Sequence, residues 1–228
     1  MRPLFDRART YPVFDDLPHL DAPQGFLTAP LTFICGRFDP HEQFLPITEA
    51  DGVVRCHLSL IDALIETVQI LRIGTPCYVA PTALLASSHF KHAHGTGYRA
   101  DMHLGWPACN GKLLLRSTGR LATYSRTLVS NPAEEAPQPS ALQVDAGSLA
   151  VFARLREFAG LFAWSETIAQ QLRWPSRKQI EAAEHALDSV ELRHGEASDV
   201  NQIAMFDPEF GQWHFVAMHL AESTDSCR

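Results

Sequence analysis

Apolar residues at Leu58, Ile61, Leu64, Ile65, Val68 and Leu71 recur at steps of three and four, the spacing of one helix face. Gly74 and Pro76 supply the stop signals, so the pattern predicts an amphipathic helix that ends there. The short apolar run Cys77-Tyr78-Val79-Ala80, closed by Pro81, predicts a buried strand. Leu31–Cys35 and Leu113–Arg116 predict two more strands. Leu149, Phe152, Leu155, Phe158 and Phe162 return to helical spacing over 148–172, and Ser176 caps a further helix of about four turns ending near Leu192. The last apolar run, 212–220, predicts a terminal strand followed by a short polar tail at 224–226.

Six prolines (Pro3, Pro12, Pro18, Pro23, Pro30 and Pro40) make 1–45 an expected extended arm wrapping a core. The segment 131–140 has the proline-rich composition of a linker, and it marks a helical insertion at about 117–192 within a single domain spanning 46–228. Together these elements predict an α+β fold: a small antiparallel sheet carrying a metal site, flanked by helices and bearing that insertion.

Composition narrows the classes of function. With 46% hydrophobic and 20% charged residues the 228-residue chain is a folded globular protein. A formal charge of −7 offers no general attraction to a phosphate backbone, so nucleic acid is not an expected partner. No stretch has the length of a membrane span, and the amino terminus lacks the apolar core of a secretory signal, so the expected location is the cytoplasm. The five cysteines are scattered without a C-x-x-C pair and read as reduced thiols. Nothing in the sequence specifies an oligomeric state.

The 11 histidines are the one compositional oddity, and they concentrate between His89 and His103. His94 and Asp101 flank Gly97, and His214 stands beside Trp213 on the late strand. Two imidazoles and a carboxylate form a donor set used by catalytic zinc, which lowers the pKa of bound water and polarises a carbonyl. The same set also serves non-haem iron, although those enzymes use H-x-D and this chain has the reversed Asp101-Met102-His103. His103 would share a face with Asp101 on an extended segment, as an outer-shell donor or proton carrier. His219, five beyond His214, would point away from it on a strand.

The segment His94-Gly95-Thr96-Gly97-Tyr98-Arg99-Ala100-Asp101 resembles the first motif, S-x-H-x-x-G-x-A-x-D, of the zinc D-alanyl-D-alanine peptidases of the Hedgehog/DD-peptidase fold, and Trp213-His214-Phe215 resembles their second. The likeness covers 55–105 and 205–222, with a helix and strand preceding the first motif as in that family. It implies zinc held by His94, Asp101 and His214, and hydrolysis of a short peptide of the peptidoglycan stem at a D,D- or L,D-linkage. Several positions depart from the family pattern: His92 replaces the serine, Arg99 the alanine, and Ala80-Pro81-Thr82-Ala83 has no arginine for the substrate carboxylate. Gly211 stands where many members carry the acidic base, so Glu209 or Asp207 would have to deprotonate the water, with Arg99 assisting substrate or oxyanion. The structural alternative for Arg99 is an ion pair with Asp51 or Glu66. The alternative for the whole chain is a non-catalytic metal-binding or structural interaction protein of the same fold, with phage-related members among the possibilities.

Overall fold

A computed structural model describes residues 32–41, 43–49, 51–91, 97–130 and 144–223. The twelve-residue strand β5 (Tyr98–Cys109) is the spine. Its first half pairs in parallel with β3 (Val54–Cys56) and antiparallel with β7 (Tyr124–Ser130). Its second half pairs with β6 (Lys112–Leu115) and β9 (Gln202–Asp207), which carry β8 (Leu192–His194) and β10 (Gln212–Ala217) at the two edges. A register shift between His103 and Gly105 marks the change of partners. Gly105 suits this place because a Cβ there would lie 2.5 Å from Ile203 Cγ2. A second, antiparallel sheet has the order β2 (Phe44–Pro46), β1 (Phe33–Phe38), β4 (Tyr78–Pro81).

The α+β class therefore holds, with a large mixed sheet beside the small antiparallel one. Several expected elements take a different form. The strand expected at Leu31–Cys35 within the arm is β1 at Phe33–Phe38, and Phe44–Pro46 at the arm's end is a further sheet strand, while 1–31 lie outside the described residues. The expected helical insertion at 117–192 contains β7, which completes one side of β5; its helices are α2 (Ala146–Phe158), α3 (Trp164–Gln171) and α4 (Ser176–Asp188). The terminal strand stops at Ala217, and Met218–Ser223 continues as helix α5.

The two faces of the large sheet carry separate cores. Ile203, Met205 and Val216 pack with Phe152 and Leu155 of α2, whereas Ala204, Phe206, Trp213 and Phe215 pack with Leu64 and Ile65 of α1 (Leu60–Arg72). This alternation along β9 and β10 is the two-residue period of a strand.

Helix α1 begins at Ser59, whose hydroxyl accepts from Asp62 N, and ends before Gly74, whose φ of +86° favours glycine. Every residue from Leu60 to Ile70 is buried, including the polar face that the spacing assigns to solvent. Each polar group on that face has a partner. Asp62 accepts from Arg156 of α2 at 3.0 Å, and that guanidinium also lies over the Phe152 ring. Gln69 Nε2 donates to Gly119 O at 2.8 Å, and Thr67 contacts Cys35 and Cys77. Glu66 takes the largest share, described below.

The helical lobe starts at Asp145, whose carboxylate accepts from Ser148 N at 2.8 Å and Ser148 Oγ at 2.6 Å. Asp145→Ala is expected to lower stability by about 1 kcal/mol, the usual cost of a lost N-cap, read as a drop in the urea midpoint with unchanged slope.

Candidate functional site

Of the residues singled out as a zinc centre, His94 lies outside the described residues, as does His92. Asp101 sits on β5 with Arg55 of β3 on one side and Thr127 of β7 on the other. Its Oδ1 accepts from Thr127 Oγ1 at 2.8 Å, and Arg99 NH2 approaches to 4.0 Å. Arg99 is engaged structurally, with NH1 3.0 Å from Asp51 Oδ2. His214 sits on β10, its Nε2 3.9 Å from Asp207 Oδ2. The other Asp207 oxygen accepts from Glu209 N at 2.9 Å and Phe210 N at 3.4 Å, shaping the turn that leaves Glu209 exposed.

Register keeps Asp101 and His214 apart. His214 pairs with Met205, and Ala204, one residue before it, pairs with Trp106, so the histidine lies two strands from β5 and about four residues along it from Asp101. At roughly 3.3 Å per residue this is about 13 Å along the sheet alone. The faces differ as well. His214 alternates with Trp213 and Phe215 and so shares the face of Val216 and Phe152, whereas Asp101, between Ala100 and Met102 of that core, points to the opposite side. These two residues do not fit one zinc ion with bonds near 2 Å.

His103 is buried beside a different group of side chains. Its Nδ1 lies 2.7 Å from Thr123 Oγ1, and its ring packs against Trp106 and His57 with centroids 4.2 and 4.8 Å away. Burial, followed by the charges of His57 and Arg55, pushes it well below the ordinary histidine range, so it is neutral. His219 is on α5 rather than a strand. Trp213 donates from Nε1 to Ala186 O at 2.7 Å and packs on Phe206; with Phe215 it also walls a cavity of about 430 Å³ rimmed by the Lys112–Glu191 ion pair.

The densest chemistry is elsewhere, around Glu66. Its Oε1 accepts from Arg55 NH1 at 2.7 Å and Arg120 NH2 at 2.8 Å, while Oε2 faces His57 Nε2 at 3.0 Å and Cys35 Sγ at 4.0 Å. Glu49 joins the network through Arg55 and Arg116. Burial alone would raise the Glu66 pKa, but Arg55, His57 and Arg120 hold it well below the usual carboxylate range. Burial likewise opposes a charge on His57, yet its contacts with Cys35 and Glu66 raise it to about 9. The Cys35 thiol is pushed well up by burial, then by Cys77 and Glu66.

Cys35, His57 and Glu66 form a group whose ligand atoms all lie within 4.8 Å of one another. This is not a nucleophile–histidine–acid relay, which uses both imidazole nitrogens: His57 meets Glu66 through Nε2, and Nδ1 has no hydrogen-bond partner among the described residues. The protonated, buried thiol is also a poor nucleophile. None of the three stands out in the sequence as a metal donor, because they are 22 and 9 positions apart in unrelated elements, β1, the end of β3 and α1. The available signal was the pair Asp62 and Glu66, one helical turn apart on a helix preceded by Arg55 and His57.

No family model matches the chain, and no curated protein or solved structure matches it. The likeness to zinc peptidases thus rests on the sequence motifs alone. No helix among the described residues is long and apolar enough to cross a membrane.

Proposed function

We propose that this chain is a non-catalytic interaction protein that docks a protein partner through the corner of its helical lobe. The observation that carries this reading is the exposure of Phe162 (77%) and Phe158 (45%) where α2 turns toward α3. Exposed large aromatics contribute little to the fold, and aromatic side chains are enriched at binding interfaces. The lobe itself is rigidly seated: Phe152 meets Trp164 edge-on with centroids 5.1 Å apart, and the buried Arg156–Asp62 pair ties α2 to α1. A rigid base presenting two aromatic anchors suits docking without rearrangement.

The test compares immobilised wild type with Phe162→Glu for retention of a partner from lysate of the native cell, followed by affinity measurement on the retained protein. The expected result is binding weakened about 30-fold, the effect of losing a 2 kcal/mol hot spot, with an unchanged unfolding midpoint. Equal affinity for both proteins would refute the docking surface.

A hydrolytic reading has one observation in its favour, the Asp207 carboxylate beside His214. Hydrolysis of peptidoglycan-stem peptides by the zinc-supplemented chain, lost in both Asp207→Asn and His214→Gln, would replace the interaction reading.

A further inference from the structure

We infer that Cys35, His57 and Glu66 hold a zinc ion in a buried site that staples the small sheet to α1 and to the end of β3. The three elements meet only because the chain folds, since Cys35 comes from β1, His57 follows β3, and Glu66 lies on α1. Thiolate, imidazole and carboxylate are together a donor set that selects zinc among the abundant divalent ions.

The spacing suits the ion. Tetrahedral zinc with bonds near 2.0–2.3 Å separates its ligands by roughly 3.5 Å. His57 Nε2 and Glu66 Oε2 are 3.0 Å apart, and Cys35 Sγ and Glu66 Oε2 are 4.0 Å apart. Cys35 Sγ and the His57 ligand nitrogen lie within 4.8 Å, so movements of about an ångström would admit the ion between the three. Cys77 is buried nearby but outside this group of donors: the Thr67 hydroxyl accepts from its thiol at 3.7 Å and donates to Cys35 Sγ at 3.3 Å.

The outer arrangement also suits a ligand carboxylate. Glu66 divides its oxygens, with Oε1 clamped by Arg55 and Arg120 and Oε2 turned toward His57 and Cys35. Fixing one oxygen so that the other points at the metal is how outer-shell groups orient ligands.

Binding forms bonds to Cys35 Sγ, His57 Nε2 and Glu66 Oε2 and displaces the thiol proton of Cys35 to solvent.

The test is cobalt(II) added to chelator-treated full-length chain, read by absorption and by proton release into weakly buffered solution at pH 7. The expected result is thiolate-to-cobalt charge transfer saturating at one equivalent, intense visible bands of a tetrahedral site, and proton release on binding. Zinc should displace the cobalt and bleach the spectrum. Cys35→Ser should abolish the charge-transfer intensity, whereas Cys109→Ser, which alters a buried thiol on β5, should leave it intact. Absence of charge transfer in the wild type, or full intensity in folded Cys35→Ser, would overturn the site. If Cys35→Ser fails to fold, the wild-type spectrum still decides, because a surface histidine site gives no thiolate absorption.

Discussion

Glu66→Gln is expected to destabilise the metal-free chain by about 3–5 kcal/mol, the range for breaking a buried ion pair by removing one partner. The substitution keeps the side chain's size and takes away only its charge. Arg55, with 3% of its side chain exposed, then loses its 2.7 Å partner, and His57 and Arg120 lose theirs at 3.0 and 2.8 Å. Glu49 compensates in part, since it also contacts Arg55, Arg116 and Arg120. Urea unfolding in the presence of a chelator measures the effect. A loss below 1 kcal/mol would mean that the network is no stronger than an exposed ion pair.

The second large effect is a fall in stability of about 2 kcal/mol between pH 6.5 and 8.5 in metal-free buffer. His57 is raised from the ordinary 6.5 to about 9. Its contribution is fully present below the unfolded-state pKa near 6.5 and is lost as pH rises through 9, for a total of about 3 kcal/mol at 1.36 kcal/mol per pKa unit. The groups facing it are Cys35 from β1, Glu66 from α1, and His103 and Trp106 from β5, with Arg55 next to Glu66 on β3. His103 acts in the opposite sense. Held neutral in the fold, it leaves the unfolded chain to take up the proton below pH 6.5, so stability falls there too. The two histidines place the optimum near pH 6.5, and His57→Gln should remove most of the fall between pH 6.5 and 7.5. Stability that is level or rising between pH 6.5 and 8.5 in the wild type would contradict the raised pKa.

Much of the fold was legible in the local pattern. The 58–71 periodicity, the stop at Gly74 and the strand before Pro81 correspond to α1 and β4, because each depends on spacing and breakers close in sequence. The pattern misread the surroundings of α1. Asp62, Glu66 and Gln69 look like a solvent face, yet they are buried because Arg55, 11 residues away, and Arg156, Arg120 and the 116–120 turn, 50 to 94 residues away, cover them. Pairing at that distance leaves no periodic trace.

The same limit explains the candidate site. His94, Asp101 and His214 were visible because they stand in recognisable short motifs, and Asp101 and His214 then fall on opposite faces of the sheet. That outcome depends on the register shift at His103–Gly105 and on β9 intervening, neither of which a motif encodes. Cys35, His57 and Glu66 carry no motif and come together only through tertiary packing.

Zinc bound at the proposed Cys35, His57 and Glu66 site, rather than at a centre shared by Asp101 and His214, has a direct consequence for metal content. Elemental analysis of zinc-equilibrated, gel-filtered protein tests it most directly, on wild type beside His57→Gln, Asp101→Asn and His214→Gln. The account predicts about one zinc per chain in the wild type, retained in Asp101→Asn and His214→Gln and lost in His57→Gln. Zinc lost from Asp101→Asn and His214→Gln but retained in His57→Gln would contradict it.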